Sequence, residues 1–380
     1  MRKENNLIWL DMLRGIAALL VVIGHLRTLI FKDFNQAGNG GIGLKFFYFI
    51  TGFGHQAVIV FFVLSGFFII SSIHNSVINH KWNLSNYVIN RLTRLWVVLI
   101  PALLLGWVFD WIGLHYYTNS YTYSGCIQTL PGINPSNSLQ VKNFVGNLFF
   151  LQTIIVPTFG SNGALWSLAN EFWYYVLFPL LYFSFKNGSK IRVRIMLFFL
   201  FVLLFYILGA QIDMYFLVWL MGGLTYVLIN ADFLFKSNLN WKIGAISLLF
   251  IIVIICSRLN KYGLIFNDFS LGIITAILIS AFAKKDIRNN MMRRLSLFFA
   301  GISFSVYLTH LPFAVIVVSI INSQRLDFTG LNLIVFLIAL LFILCYSYLN
   351  YYLFERKTGV VKEQITKQLM KCTEGLSDLD

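Results

Sequence analysis

The chain has 380 residues, of which 58% are hydrophobic and only 12% are charged. Soluble domains carry about 25% charged residues, so this composition excludes a soluble enzyme, a secreted disulfide-stabilised domain and a nucleic-acid-binding domain. It indicates an integral membrane protein, and the formal net charge of +14 is therefore interpreted as a signal of membrane topology.

Ten apolar segments have about the length that a helix needs to cross a bilayer. They lie at about 7–30, 55–73, 95–113, 165–185, 193–209, 212–230, 242–257, 268–283, 297–320 and 331–353. With the N-terminus in the cytoplasm, the inward segments carry 21 Lys and Arg residues and the outward segments carry seven. This bias satisfies the positive-inside rule. The sequence therefore predicts an all-α polytopic membrane protein of about ten transmembrane helices, with both termini cytoplasmic.

The first apolar segment follows two basic residues and has to be distinguished from a signal peptide. Asp11 and Arg14 interrupt its apolar run, it is too long, and no small-residue cleavage site follows it. We interpret it as a retained first helix. Residues 354–380 are too few to form a core of their own. We therefore expect one transmembrane domain at 7–353 and a short cytoplasmic tail at 354–380.

Two polar segments lie on the predicted outer side. Residues 114–164 are rich in Tyr, Asn, Ser, Gly and Pro, and a loop of this length is usually functional or disordered. Within it, residues 144–156 are apolar but too short to span, which favours an interfacial or re-entrant piece. The glycine-rich residues 36–43 lead into an aromatic segment at 45–53, which we expect to lie along the surface before the second span.

The first span contains Asp11, Arg14 and His25, and a charged side chain in a helix centre costs at least about 2.5–3.5 kcal/mol on insertion scales. Arg14 and His25 are eleven residues apart, which places them on one helix face, about 16 Å apart along the axis. Asp11 is close enough to pair with Arg14. Either Arg14 extends to the surface while His25 binds a neighbouring helix, or both line a cavity. Their shared face favours the cavity.

The fourth span contains a single carboxylate, Glu171. It lies six residues inside the predicted outer end, about 9 Å deep, which matches the depth of His25. We therefore predict a contact between these two residues, since a carboxylate that orients an imidazole is the elementary general-base unit. Ser167 is interpreted either as a hydrogen-bond donor or as an ordinary serine at the start of a helix. Trp166 is interpreted equally well as a residue of the site or as an interfacial residue.

Small and basic residues mark the second and third spans. Ser65 and Gly66 lie in an otherwise apolar run, where they permit the close approach of a helix or of a thin ligand chain. Arg91 and Arg94 precede the third span and share a helix face. They can bind phosphates together, although such arginines are usually markers of the inner side.

The ninth span places Tyr307 and His310 in the middle of the membrane. Pro312 follows, and its missing N–H can free a backbone carbonyl. A buried histidine that is simply hydrogen-bonded is the commoner outcome for such a residue. Three further ionisable residues are taken as helix-end residues without a special role: His55, Asp110 and Asp213.

In this order, the motifs resemble those of the acyltransferase 3 family, whose members are membrane-bound enzymes that acylate cell-surface carbohydrates and related acceptors. The matching segments are LDMLRGIAALLVVIGH, FFVLSGFFI, RLTRLW, LWSLANEFWYY and YLTHLP. They run from residue 10 to residue 312, and the family's ten-helix domain extends to about 353. One departure is Val97, where the family often has a proline after the arginine pair. The chain has Pro101 further on.

The resemblance implies transfer of an acyl group, usually acetyl from acetyl-CoA, to a hydroxyl of a cell-surface glycan such as O-antigen or capsule. It also implies a multi-pass protein of the bacterial inner membrane, with a lipid-linked or exported carbohydrate as acceptor. We expect no metal and no nucleic-acid partner. Acetyl-CoA, as the acyl donor, is expected to be bound by Arg14, Arg91, Arg94 and Ser65.

Catalysis is assigned to two residues: His25 takes the proton of the acceptor hydroxyl and Glu171 holds the imidazole. The acceptor is expected to contact Trp166, Ser167, Tyr307 and His310.

Two other functions are compatible with parts of the sequence. A glycan or lipid exporter with the same fold would also place ionisable residues at the membrane midplane, although no internal repeat supports a transporter. A passive assembly scaffold would leave the buried Arg14 and His25 unexplained.

Overall fold

The structure is a computed structural model, and it describes residues 8–38, 41–124, 130, 135–188, 190–230, 239–283 and 289–377. Within these ranges the chain forms α-helices and turns, with one short 3₁₀ helix at Glu355–Lys357 and two isolated β-bridges. The predicted all-α class is therefore confirmed.

Fourteen α-helices follow one another along the described chain. In order they are α1 Ile8–Ile30, α2 Gly41–Ile50, α3 Gly54–Ile78, α4 Leu84–Tyr116, α5 Pro135–Ser138, α6 Val141–Leu148, α7 Leu165–Phe185, α8 Ile191–Leu208, α9 Ala210–Asn230, α10 Leu239–Arg258, α11 Leu264–Phe282, α12 Asn290–Ile321, α13 Gly330–Leu353 and α14 Thr358–Ser377.

Nine helical segments of the described chain are long and apolar enough to cross a membrane, which confirms a polytopic protein. The predicted fourth span is present as α7, but it is not among the nine. Asn, Glu, Trp and Tyr residues lower its mean hydropathy, although its 21 residues amount to about 30 Å of helix. The short α2 occupies the aromatic segment that was expected to precede the second span.

Helix α4 differs from the prediction at its start, since it begins at Leu84 instead of near residue 95. The side chain of Asn83 caps it by accepting a hydrogen bond from the N–H of Asn86 at 2.9 Å. Arg91 and Arg94 consequently lie inside the helix, two turns after it begins. The helix is continuous through Pro101.

The buried side chains form two clusters. The larger one lies mainly among α3, α4, α7, α9 and α11, around the fully buried Trp219 and Tyr174. The second lies among α1, α2, α12 and α13, around Leu26 and Phe31. Helix α8 buries few of its side chains, as expected for a helix that faces lipid. Helices α1, α3 and α12 hold the bundle together because they contact neighbours on several sides.

Gly66 explains how closely α3 and α9 approach each other. A Cβ atom at this position would collide with the backbone carbonyl oxygen of Trp219. Only glycine permits this crossing, as in other membrane helix pairs with small residues at the interface. The helix-packing interpretation of this residue is therefore correct, while its neighbour Ser65 lines the cavity described below.

The end of α1 is joined to the segment between α12 and α13. The guanidinium of Arg325 makes two hydrogen bonds to the carboxylate of Asp33, at 2.9 and 3.0 Å. These hydrogen bonds raise the pKa of Arg325 above its ordinary value. Backbone hydrogen bonds from Leu326 to Ile30 at 2.7 Å and from Lys32 to Leu326 at 3.0 Å complete the connection. It sets α1 and α12 in register, and these are the two helices that carry His25 and His310.

Candidate active site

Two cavities lie at different levels along α1. The arginine cavity, of about 100 Å³, has polar walls formed by Arg14, Ser65, Arg91, Arg94, Ser167, Glu171, Tyr175 and Tyr307. The histidine cavity, of about 560 Å³, is lined among others by His25, His55, Val58, Thr153, Trp166, Gln211 and Tyr307. Eleven helical residues, or about 16 Å, separate Arg14 from His25 along α1.

In the arginine cavity, Arg14 is held at the crossing of α1 and α12. Its Nη2 donates a hydrogen bond to the carbonyl oxygen of Ala300 at 2.7 Å. The carboxylate of Asp11, one turn earlier, lies 3.7 Å away, so the predicted pair is present. The Nε of Arg14 is buried and has no hydrogen-bond partner among the described residues. A buried donor without a partner is an exception in folded proteins, and an anionic ligand would satisfy it.

Arg91 completes this basic wall from α4. Its guanidinium lies over the rings of Tyr87 and Tyr175, with the Cζ atom 5.4 and 5.7 Å from the two ring centroids. These cation–π contacts hold the group in place. Its Nε is buried and, within the described part of the chain, also lacks a partner. The structure thus brings together all four residues that were predicted to bind acetyl-CoA. Two of them, Arg14 and Arg91, have an N–H group without a hydrogen-bond partner among the described residues.

Glu171 belongs to the arginine cavity, and the predicted contact with His25 is wrong. Its Oε1 accepts a hydrogen bond from Ser65 Oγ at 2.9 Å and another from the hydroxyl of Tyr175. Trp219 Nε1 in turn donates to Ser65 Oγ at 3.2 Å. Equal depth along two helices did not imply contact, because the side chain of Glu171 points towards α3 and away from His25. It lines the same cavity as Arg14.

The partner of His25 is His310. Nδ1 of His25 lies 2.8 Å from Nε2 of His310, and the two ring planes are 9° from parallel. Nδ1 of His310 lies 2.9 Å from the carbonyl oxygens of both Val306 and Tyr307. Carbonyl oxygens only accept hydrogen bonds, so this Nδ1 carries the hydrogen.

The tautomers of the neutral pair follow from that assignment. Nε2 of His310 is the acceptor, and Nδ1 of His25 is the donor to it. Nε2 of His25 then has a free lone pair, and it has no hydrogen-bond partner among the described residues. Since His25 lines the histidine cavity, the arrangement presents a base to that cavity.

Tyr307 and Ser167 separate the two cavities. Their hydroxyl groups are 2.5 Å apart. Tyr307 lines both cavities, as does Val58, whereas Ser167 lines the arginine cavity and the neighbouring Trp166 lines the histidine cavity. The start of α7 therefore faces both sides of this wall, and Ser167 is more than a helix-start serine.

The segment before α7 is anchored to α12. Pro312 has no N–H and therefore cannot donate a hydrogen bond to the carbonyl oxygen of Leu308 one turn earlier. Instead, Nδ2 of Asn162 donates a hydrogen bond to that oxygen at 2.8 Å. The expectation that Pro312 frees a carbonyl is correct. On the other side of the segment, the buried Asp110 accepts a hydrogen bond from the N–H of Ser161 at 2.6 Å. Asp110 is thus an anchor of this segment, in contrast to the helix-end residue expected.

Sequence reasoning also missed the pairing of His55 with Asp268. Nε2 of His55 lies 2.9 Å from both carboxylate oxygens of Asp268, and His55 lines the histidine cavity. One signal was available: Asp268 is an acidic residue at the start of an apolar span, and an ionisable residue in such a segment is a functional candidate by default.

Comparison with known proteins identifies the family of the chain. A family model described as an acyltransferase domain, Acyl_transf_3, matches residues 7–351. No curated protein and no solved structure matches the chain significantly. Because the family match covers nearly the whole chain, the protein belongs to the acyltransferase 3 family and is a membrane acyltransferase. The resemblance found in the sequence is confirmed.

Proposed function

We propose that this protein transfers an acetyl group from acetyl-CoA, whose phosphates are bound by the arginines of the arginine cavity, to a hydroxyl of a cell-surface glycan bound in the histidine cavity. In this reaction the thioester C–S bond breaks and a new C–O bond forms. The hydroxyl proton passes to Nε2 of His25 and then to the leaving thiolate, which yields the acetylated glycan and CoA. The observation that carries the proposal is that His25 and Arg14 lie about 16 Å apart on one helix, in cavities that share Tyr307.

The arginine cavity suits the donor because acetyl-CoA carries several phosphate charges. Arginine guanidinium groups bind phosphate through paired hydrogen bonds, and Arg14 and Arg91 each keep a buried Nε without a partner within the described chain. The bias of basic residues towards one side supports a cytoplasmic location for this cavity and for both termini. The donor is available in the cytoplasm.

The histidine cavity suits a carbohydrate acceptor. Its volume of about 560 Å³ is in the range of small-molecule sites. Its walls combine the flat ring of Trp166 with polar groups of Thr153, Gln211 and Tyr307. Thr153 has a positive φ of 68°, and backbone strain of this kind clusters at ligand-binding sites. By topology this cavity opens to the outer face of the cytoplasmic membrane, where lipid-linked or exported glycans are found.

His310 takes the role that was predicted for Glu171. It fixes the tautomer of His25, so that the lone pair on Nε2 faces the acceptor, and as a hydrogen-bond acceptor it stabilises the imidazolium that forms. Glu171 instead lines the arginine cavity with the donor-binding residues and accepts a hydrogen bond from Ser65. We therefore assign Glu171 to organising the arginine cavity.

The acetyl group has to pass between Tyr307 and Ser167. An extended pantetheine arm can bridge much of the distance from Arg14 to His25, and its thin chain fits beside small side chains such as Ser65. Passage requires the hydrogen bond between the two hydroxyls to open. In its closed state this bond separates the cavities and excludes water from the donor, which protects the thioester from hydrolysis.

The proposal is tested by the mass of the surface glycan in cells with and without the gene. Mass increments of whole acetyl groups that disappear in the His25→Ala variant support acetyl transfer. His115→Ala is the matched control, because His115 is exposed and its hydrogen bond and ring contact are both made to Trp111 of its own helix. Loss of the glycan itself would favour export and contradict the proposal.

Sidedness is tested in membrane vesicles of known orientation. Acetyl-CoA supplied on the cytoplasmic face should acetylate glycan supplied on the outer face. If activity needs both substrates on the cytoplasmic face, the arrangement through the membrane is wrong, while acyl transfer itself would stand.

A further inference from the structure

The histidine cavity is lined by a second imidazole, that of His55, which is hydrogen-bonded to a carboxylate inaccessible to solvent. Asp268 of α11 has a relative exposure of 0%. Both of its oxygens lie 2.9 Å from Nε2 of His55, at the start of α3, and Tyr215 also donates to it, at 3.4 Å. An ionised carboxylate only accepts hydrogen bonds, so Nε2 of His55 carries a hydrogen. Asp268 thereby fixes the tautomer and the orientation of this ring.

The two histidines of the cavity are held close together by the backbone. A Cβ atom added to Gly24 would lie 3.2 Å from the carbonyl oxygen of Thr51 and 3.8 Å from the Cα of Gly54. Helix α1 and the start of α3 therefore touch at Gly24 and Gly54, and each of these glycines directly precedes one of the histidines. The contact places His25 and His55 on neighbouring parts of one cavity wall.

The remaining nitrogen of His55 is available to a ligand. No hydrogen bond to its Nδ1 is formed by any residue that the structure describes, and 34% of the side chain is exposed. Because Nε2 carries the hydrogen, Nδ1 of the neutral ring is a hydrogen-bond acceptor that a hydroxyl group can satisfy.

We propose that His55 is a second acceptor-binding residue, which receives a hydrogen bond from one hydroxyl of the acceptor while His25 deprotonates another. The acceptor is then a polyhydroxylated molecule that engages the cavity through at least two hydroxyl groups. This inference rests on the proposed function, since it assumes that the histidine cavity holds the acceptor. Asp268 is a positioning residue, because it acts only through the ring of His55.

Two variants of His55 separate this role from a structural one. In His55→Gln the side-chain amide nitrogen reaches about the position of Nε2 and can still donate to Asp268, while the acceptor atom at the position of Nδ1 is lost. In His55→Asn a polar atom stays near the position of Nδ1, but the donor to Asp268 is lost. Asp268→Asn can donate to Nε2 and thereby move the ring hydrogen to Nδ1, which would then no longer accept a hydrogen bond.

The experiment uses the full-length protein in nanodiscs, radiolabelled acetyl-CoA, and the surface glycan of the expressing cells after removal of its ester groups with mild alkali. We expect His55→Gln and Asp268→Asn to raise the KM for this glycan about tenfold, which is the value of one hydrogen bond of about 1.4 kcal/mol. The KM for acetyl-CoA and the melting temperature of His55→Gln should stay at wild-type values. Binding of the glycan without acetyl-CoA should weaken by the same factor.

Three other results would overturn the inference, and a fourth would overturn only the proposed function. Unchanged glycan KM and binding in His55→Gln, together with a lower melting temperature in His55→Asn, would show a structural pair. A loss of kcat at saturating glycan equal to that of His25→Ala would make His55 the base. If the wild-type protein binds no glycan, the inference that the acceptor is a polyhydroxylated molecule is wrong. If the wild-type protein binds glycan but transfers no acetyl group, and His55→Gln weakens that binding, the proposed function fails while this inference stands.

Discussion

Nδ1 of His25 lies 2.8 Å from Nε2 of His310, and the second histidine is itself oriented by two backbone carbonyls of its own helix. In the general-base role that we propose for His25, His310 corresponds to the carboxylate of other such pairs, in that it accepts the hydrogen of Nδ1 and leaves the opposite nitrogen free. It does so without adding a charge to the membrane interior, where an isolated ionised group is costly.

Activity should depend on the acceptor atom at residue 310. We expect His310→Leu to lower kcat by about 10²- to 10⁴-fold, the contribution typical of general-base catalysis. His310→Gln should retain more activity than His310→Leu, because its amide oxygen can still accept from Nδ1 of His25. The measurement is acetyl transfer from radiolabelled acetyl-CoA at equal membrane abundance. Equal activities of the leucine and glutamine variants would contradict the assigned hydrogen bond.

The arginine cavity should control use of the donor. Arg91→Ala and Arg14→Lys are each expected to raise the KM for acetyl-CoA about tenfold, since a hydrogen bond to a charged group contributes about 1.5–3 kcal/mol. The kcat at saturating donor should change little. Arg192→Ala is the control, because Arg192 is exposed on α8. A KM that stays constant in both cavity variants would place the donor elsewhere.

Energetic coupling should follow the contacts of His25. The unfolding free energies of single and double alanine variants in detergent should show a coupling of about 0.5–3 kcal/mol between His25 and His310, which are in contact. For His25 and Glu171, which are not in contact, the effects should add within about 0.5 kcal/mol. A larger coupling between His25 and Glu171 would indicate that these residues are in contact, as the sequence suggested.

Tyr307 should limit wasteful hydrolysis of the donor. In Tyr307→Phe the hydrogen bond to Ser167 is lost with little change in shape, so water from the histidine cavity can reach the thioester more often. We expect the ratio of acetyl-CoA hydrolysis to acetyl transfer to rise several-fold. Thiol release and glycan acetylation are measured in the same sample. Tyr206→Phe, on the exposed surface of α8, is the control, and an unchanged ratio in Tyr307→Phe would argue against a barrier.

Asn162 should stabilise the bundle through the carbonyl that Pro312 leaves unpaired. Asn162→Ala leaves the carbonyl of Leu308 buried without a partner, which costs about 1–3 kcal/mol. The melting temperature of the detergent-solubilised protein should fall accordingly. Asn79→Ala removes an exposed amide that donates to the carbonyl oxygen of Asn75 in the last turn of the preceding helix α3, and it should change stability by less than about 0.5 kcal/mol. Equal effects of both variants would refute the anchoring role.

Several features of the site could be predicted from single segments of the chain. The spacing of Arg14 and His25 gave their common face, because the rise and turn of a helix are the same in every context. The pairing of Asp11 with Arg14 is likewise a matter of one helical turn. The role of Pro312 followed from its missing N–H, although the residue that takes the freed carbonyl, Asn162, could not be inferred.

The partners of the titratable groups required the packed structure. Glu171 and His25 have matching depths, yet their side chains belong to different cavities. Arg91 and Arg94 are placed two turns inside α4, because a capping residue extends the helix beyond its apolar part. His55 was dismissed as a helix-end residue, whereas the approach of α11 gives it a buried carboxylate.

By itself, the sequence determined the helical class, the membrane-spanning segments and the family, since hydrophobicity, charge and motif spacing are properties of contiguous residues. The tertiary structure alone decided which imidazole meets which partner. Contact between two helices depends on the rotation of each about its axis and on their crossing, and these are set by close approaches such as those at Gly24 and Gly66. No single segment contains that information, and it is what separates the histidine cavity from the arginine cavity.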